Sequence, residues 1–159
     1  MTDNAAIEVL KMALLLERQG MAFYAQVAGQ TRSPAVRELF RTLAEEEKKH
    51  AEMLAERGGP AAAARGAVPD TLAKLVLSGD IRKQIGAASY EAAAISAAID
   101  MENKAVALYS QRAGQAADPA ERDLYQWLAD WERGHQRFLA RINQELLEEI
   151  WQDSGFWPF

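Results

Sequence analysis

The sequence repeats itself, without a gap, when each residue is compared with the residue 85 positions later. The matched pairs are Glu17 and Glu102, Tyr24 and Tyr109, Gly29 and Gly114, Pro34 and Pro119, Leu39 and Leu124, Leu43 and Leu128, Glu47 and Glu132, His50 and His135, and Leu54 and Leu139. Packing alone explains the matched leucines, but it does not require matched glutamates and histidines. The repeat predicts two similar halves related by an approximate two-fold axis, and a site on that axis receives the same ligand types twice.

Each half has the pattern of a helical hairpin, because apolar residues recur at spacings of three and four. Ser33–Pro34 and Asp118–Pro119 each provide an N-cap followed by proline at the first helical position. The chain is rich in alanine, which favours helix over sheet. The four predicted helices run from about Asn4 to Ala28, from Pro34 to near Gly58, from about Ser89 to Ala113, and from Asp118 to about Ile150.

The predicted connections are short, long and short. A turn is expected at Gly29 to Arg32, and a long connection from Pro60 to about Ser89 contains a predicted short helix from Asp70 to Leu77. This order suits two antiparallel pairs joined by one crossover between helices 2 and 3, as in ferritin-like four-helix bundles. We therefore predict an all-α fold in one domain, residues 1–159, with an aromatic tail from Trp151 to Phe159.

Composition excludes several classes of protein. A net charge of -5 argues against nucleic-acid binding, and the absence of cysteine removes disulfides and thiolate metal sites. No apolar run is long enough to span a membrane, and the first residues do not have the pattern of a signal peptide. A cytoplasmic protein is the expectation.

Both histidines of the chain lie in the motif Glu-x-x-His, at Glu47 to His50 and at Glu132 to His135. Glu17 and Glu102 each precede the motif glutamate of their half by 30 residues. All six residues fall on the apolar stripes of the predicted helices, because residues three and four apart share a helix face. The pattern therefore predicts that these polar groups point into the bundle.

Four carboxylates buried together repel one another, and no lysine or arginine lies on the stripes to compensate them. Two divalent cations would neutralise the four carboxylates, with two neutral imidazoles completing the ligands. A solvated surface pair is the simpler explanation of one isolated Glu-x-x-His motif. Two copies in register on core faces, with two further core glutamates, favour a two-metal site.

Other residues near the motifs leave alternatives open. Tyr24 and Tyr109 either donate hydrogen bonds to ligating carboxylates or serve as core aromatics. Trp131 could relay electrons, although packing is the simpler role. A solvated face is predicted for the charged residues around the first motif, namely Glu45, Glu46, Lys48, Lys49 and Glu52.

The pattern Glu…Glu-x-x-His…Glu…Glu-x-x-His, from about Ile7 to Ile150, resembles the rubrerythrin-type domains of the ferritin-like superfamily. The resemblance implies that Glu17 and His50 serve one metal, Glu102 and His135 the other, and that Glu47 and Glu132 bridge them. Two departures stand out. Rubrerythrins carry a further carboxylate one turn from the third-helix glutamate, where this chain has Ile99 and Ala105. They also often carry a cysteine-ligated iron domain, which this chain cannot form because it contains no cysteine.

The leading functional hypothesis is an oxidoreductase with two iron ions that reduces peroxide or oxygen, with manganese or zinc as alternative metals. Without cysteine, the electron donor must be external. One alternative is iron handling and storage, and another is a helical interaction module with a structural metal. A homodimer is suggested by the apolar helices and the aromatic tail.

Overall fold

The computed structural model describes residues 3–56 and 90–154, and these residues form four α-helices. Helix α1 spans Asp3–Gln30, α2 spans Pro34–Ala55, α3 spans Tyr90–Gln115 and α4 spans Pro119–Ser154. No strand occurs in these two segments, so the all-α prediction is confirmed. None of the four helices contains an apolar stretch long enough to cross a bilayer.

The helix ends differ from the predicted ends by a few residues. Helix α1 includes Gly29 and Gln30, and the amide of Thr31 still bonds to the carbonyl of Val27 at 3.0 Å, so the turn begins later than predicted. Helix α4 continues to Ser154, because nothing before Gly155 interrupts it. The first four residues of the predicted tail are therefore helical. Residues 155–159 and the predicted helix at 70–77 lie outside the described segments.

Matching caps begin the second helix of each hairpin. The Ser33 side chain accepts a hydrogen bond from the amide of Val36 at 3.2 Å. The Asp118 carboxylate accepts from the amides of Ala120 and Glu121 at 3.4 and 3.3 Å. Each cap satisfies amides that have no partner inside the helix, and the following proline has no amide hydrogen to satisfy.

The two hairpins pack against each other so that their first helices, α1 and α3, run in opposite directions. Helix α1 packs against α2, α3 packs against α4, and α1 also contacts α3. Tyr24 lies opposite Glu102 while Tyr109 lies opposite Glu17, so α1 and α3 are antiparallel. Helices α2 and α3 therefore point the same way. That orientation is the one a ferritin-like bundle has.

The apolar core is divided into two clusters at opposite ends of the bundle. One cluster is centred on the fully buried side chains of Val27, Val36, Leu39, Phe40, Leu43 and Ile95. The other contains Ala13, Leu54, Tyr109, Leu124, Tyr125 and Leu128. The buried glutamate and histidine side chains lie between the two clusters, so packing at both ends fixes their positions.

Gly134 offers a simple test of the space around α4. It lies inside α4, and a Cβ added there would meet no atom within 4 Å. Because glycine is a poor residue for a helix interior, Gly134→Ala is expected to raise the free energy of unfolding by about 0.5–1 kcal/mol. Urea denaturation of the metal-free protein measures this change.

Gly114→Ala is the matched control, since its added Cβ also meets nothing but the residue lies at the end of α3, where the gain is smaller. A loss of stability in Gly134→Ala would show that the helix is crowded at that position.

Candidate metal centre

The structure brings all six predicted ligand residues into one layer at the centre of the bundle. Each helix contributes, since α1 carries Glu17, α3 carries Glu102, and α2 and α4 each carry one Glu-x-x-His pair. No residue of the set is more than 4% exposed. The apolar stripes thus predicted correctly that six polar side chains face inward, namely Glu17, Glu47, His50, Glu102, Glu132 and His135.

His50 directs its Nδ1 atom at three carboxylates. This nitrogen lies 2.8 Å from Oε1 of Glu132 and 3.3 Å from Oε2 of Glu17. Oε2 of Glu47 is slightly farther away, at 3.7 Å. The four side chains form a group whose donor atoms all lie within 4.8 Å of one another, close enough to share a metal ion.

His135 repeats this arrangement in the other half. Its Nδ1 atom lies 3.1 Å from Oε2 of Glu132 and 3.3 Å from Oε1 of Glu47. Oε1 of Glu102 is 3.4 Å away. These four side chains form a second group with the same 4.8 Å limit.

Glu47 and Glu132 belong to both groups. Each of them turns one carboxylate oxygen towards His50 and the other towards His135. Glu17 lies only in the group of His50, and Glu102 lies only in the group of His135. The geometry therefore has two shared and two unshared carboxylates, which is the division that the family resemblance implies.

The donor set suits metal ions. Carboxylate oxygens and imidazole nitrogens lie within a few ångströms of each other, yet several of these buried atoms lack a hydrogen-bond partner among the described residues. These atoms are Glu17 Oε2, Glu47 Oε1, both carboxylate oxygens of Glu132, and Nδ1 of both histidines. Buried polar atoms without partners are rare in native proteins and call for an explanation, for which a bound ion is one answer. The residues present thus form a buried cluster able to hold metal.

Tyr24 and Tyr109 hydrogen-bond to the unshared carboxylates across the bundle. The hydroxyl of Tyr24 donates to Oε1 of Glu102 at 2.5 Å, and the hydroxyl of Tyr109 donates to Oε1 of Glu17. Both rings are buried, and each bond joins one hairpin to the other. The structure shows both roles that the sequence left open for the tyrosines, because each hydroxyl bonds to a carboxyl group of the cluster and each ring belongs to a core cluster.

Replacing either tyrosine by phenylalanine leaves a buried carboxyl oxygen without its donor. We expect Tyr24→Phe and Tyr109→Phe each to lower the free energy of unfolding by about 1–3 kcal/mol. The two losses should be similar, because the repeat gives both hydroxyls equivalent partners. Urea denaturation without metal measures both, and Tyr90→Phe, at an exposed tyrosine, is the matched control. Losses no larger than the control's would contradict the hydrogen bonds.

Burial and mutual repulsion favour protonation of the unshared carboxyls when no metal is bound. Burial raises the pKa of Glu17 well above its usual value, and the nearby charge of Glu132 raises it further. The pKa of Glu102 is raised well above its usual value by the same two causes. Burial and the neighbouring carboxylates also raise the pKa values of Tyr24 and Tyr109, so both phenols stay protonated.

The shared carboxyls and the histidines form the charged part of the metal-free cluster. Burial alone would raise the pKa of Glu132, but the positive charges of the neighbouring His50 and His135 imidazoles lower it. For Glu47, burial and the charge of Glu132 raise the pKa, but the close approach of the Glu17 carboxyl and of both imidazoles outweighs them and lowers it. Burial lowers the pKa of both histidines, but the neighbouring carboxylates raise it well above its usual value. Two protonated imidazoles can therefore balance the charge of two carboxylates in the metal-free protein. The sequence suggested that only metal ions could neutralise the buried carboxylates, and in this respect the structure differs.

Glu46 is buried, so the prediction that it belongs to a solvated face was wrong. It is 4% exposed, and its Oε2 atom contacts Nε2 of His135. The same oxygen accepts a hydrogen bond from Nε1 of Trp131 at 3.2 Å. The signal was present in the spacing, because position 46 lies three residues after Leu43 and four before His50, on the buried face. The run of charged residues from Glu45 to Lys49 concealed it.

The outer edge of His50 has different neighbours. Its Nε2 atom is buried without a hydrogen-bond partner in the described part of the chain. The rings of Trp127 and Trp131 meet it edge-on, with centroids 5.8 and 5.5 Å from that of the imidazole. Trp131 thus packs against one histidine, while its Nε1 atom lies 3.1 Å from Nε2 of the other.

Comparison with known proteins supports the same family as the motif pattern. The family model described as Rubrerythrin matches residues 8–143, which is most of the chain and includes every residue of the cluster. No curated protein and no solved structure matches the chain.

Proposed function

Because the chain belongs to the rubrerythrin family, we propose that it is a di-iron oxidoreductase that reduces peroxide or oxygen as Fe(II) is oxidised. The observation that carries the proposal is the pair of buried ligand groups that share Glu47 and Glu132. Two Fe(II) ions, when bound, would supply the two electrons that reduction of one peroxide molecule requires.

The proposed ligands divide between the two ions as the contacts divide. Glu17 and His50 would hold one ion, and Glu102 and His135 would hold the other. Glu47 and Glu132 would serve both. Four carboxylates and two imidazoles form an oxygen-rich set that favours iron or manganese over zinc, which prefers fewer ligands with more nitrogen or sulfur.

The protein's own groups limit and orient the reaction. The ligand side chains are almost completely buried, so only a small oxidant such as peroxide or oxygen would reach them. Tyr24 and Tyr109 hold the unshared carboxylates in place by their hydrogen bonds. The chain contains no cysteine to ligate a second iron centre, and we therefore propose an external electron donor.

The test is to load metal-free protein with Fe(II) under anaerobic conditions and then add peroxide or oxygen in separate experiments. The expected result is about two irons per chain, with ferric absorption appearing on oxidation and faster reaction with peroxide than with oxygen. Fe(II) that binds but resists both oxidants would contradict an oxidoreductase and favour a structural metal. Retention of many iron atoms per chain would favour storage.

A further inference from the structure

The two halves of the cluster differ at one position that the repeat makes equivalent. Glu46 in α2 and Trp131 in α4 are 85 residues apart, and each immediately precedes the shared glutamate of its own helix. The six ligand residues and both tyrosines match between the halves, whereas this pair combines a carboxylate with an indole. The pair is therefore one place where the surroundings of the two metal positions differ.

The difference acts through the histidines. Nδ1 of each imidazole faces the carboxylates of the cluster, which leaves Nε2 to point away from them. Nε2 of His135 meets the carboxylate of Glu46, which Trp131 holds by its own hydrogen bond. Nε2 of His50 has no hydrogen-bond partner among the described residues, and the rings of Trp127 and Trp131 lie at right angles to this imidazole. One imidazole thus has a carboxylate partner and the other has none in the described segments.

A carboxylate bonded to the outer nitrogen changes the imidazole as a ligand. It fixes the proton on Nε2, leaves Nδ1 free to bind metal, holds the ring in one orientation and makes the ligating nitrogen more basic. Loss of such an outer partner typically lowers metal affinity by about 10- to 100-fold. An imidazole among indole rings has none of these advantages.

We propose that Glu46 is a positioning residue that makes the two metal positions unequal, so that the position of Glu102 and His135 binds a divalent cation more tightly than that of Glu17 and His50. This inference rests on the proposed metal site. It gives the centre an order of filling, with the His135 position occupied first and the His50 position exchanging more readily.

The test uses two half-site variants, because repulsion between two bound cations would blur a comparison made in one protein. Glu17→Gln weakens the His50 position and leaves the His135 position intact, and Glu102→Gln does the reverse. Each metal-free variant is titrated with Mn(II), and the electron paramagnetic resonance signal of free aqueous Mn(II) reports binding. We expect Glu17→Gln to bind one Mn(II) about 10-fold or more tightly than Glu102→Gln does.

Glu46→Gln is then added to each half-site variant. In the Glu17→Gln background it should weaken Mn(II) binding by about 10- to 100-fold, whereas in the Glu102→Gln background it should change the affinity little. Glu45→Gln, on the exposed face of the same helix, makes the same change of charge and should leave both affinities unchanged. Circular dichroism checks that every variant keeps its helices.

The outcomes separate this inference from the proposal on which it rests. Equal affinities in the two half-site variants, or equal weakening by Glu46→Gln in both, would overturn the inequality and leave the two-metal site standing. A uniform loss is also what a merely structural role of Glu46 would produce. Failure of the unmodified protein to bind Mn(II) or Fe(II) would overturn both.

Discussion

A variant carrying Glu47→Gln and Glu132→Gln together is expected to lose at least about 100-fold in affinity at both metal positions, because each position loses two of its carboxylates. Substitutions outside the ligand set already cost 10- to 100-fold in metal sites, so removal of two ligands should cost more. Anaerobic Fe(II) titration, with the bound iron counted per chain, measures the loss. This is the largest effect we expect from any change in the centre.

The matched control is Glu45→Gln with Glu52→Gln, which changes the same number of charges at exposed positions of α2. The control should bind iron as the unmodified protein does. Glutamine has nearly the shape of glutamate, so the test variant is expected to keep its helices, which circular dichroism checks. Two irons per chain in the folded test variant would exclude Glu47 and Glu132 as shared ligands.

Metal-free protein is expected to become less stable as the pH rises above about 4.5, the unfolded-state pKa of glutamate, and more steeply above about 6.5, the unfolded-state pKa of histidine. His50, His135, Glu17 and Glu102 all have pKa values raised in the folded state, so the folded protein holds protons that the unfolded chain releases. Groups of this kind stabilise the fold fully at low pH, and that stability disappears as the pH rises. Each proton contributes a slope of up to about 1.4 kcal/mol per pH unit.

Glu47 and Glu132 act in the opposite sense. Their pKa values are lowered, so they contribute stability above the usual pKa of 4.5 that is lost as the pH falls. Together the two classes place the greatest stability of the metal-free protein near pH 4.5, because the lowered pKa values add no further stability above that pH and the raised pKa values of Glu17 and Glu102 begin to remove it there. Metal-loaded protein should behave differently, because a bound cation takes the place of the protons. Its stability should rise with pH and level off near pH 7.

Urea denaturation at pH 5.5, 7.0 and 8.5 tests how the free energy of unfolding changes with pH. A chelator gives the metal-free protein, and Mn(II) gives the metal-loaded protein. Above pH 6.5, the free energy of unfolding of the metal-free double variant Glu17→Gln/Glu102→Gln should fall with pH about half as steeply as that of the metal-free unmodified protein. The variant removes two of the four groups whose raised pKa values cause the fall. Metal-free stability that is constant or increases above pH 6.5 would show that the histidines and unshared glutamates do not hold these protons.

The predictions that succeeded from sequence were those based on periodicity and repetition. Helix periodicity and the internal repeat identified four helices and six inward polar residues, because burial on a helix depends on spacing that can be counted. The capped starts at Ser33 and Asp118 were also predictable, since capping needs only a short side chain at one position. Helix ends without such a signal, at Gln30 and Ser154, were placed less well.

Glu46 was predicted wrongly because charge and spacing gave opposite answers. A residue within Glu-Glu-Glu-Lys-Lys looks solvated, yet a buried carboxylate is stable if hydrogen-bond donors surround it. Those donors come from Trp131 and His135, which are distant in sequence and become neighbours only when the hairpins pack. Contacts of this kind depend on tertiary structure, which local patterns do not encode.

The repeat also has a consequence for how such a centre can change over generations. A bundle assembled from two identical hairpin chains would carry the same residue beside both histidines, and every mutation would alter both metals at once. Here both hairpins lie in one polypeptide, so a codon in one half can mutate while its counterpart does not. At the positions of Glu46 and Trp131 the two halves differ. Because both halves lie in one chain, the two candidate metal positions can change independently, although the residue types of their two ligand groups are the same.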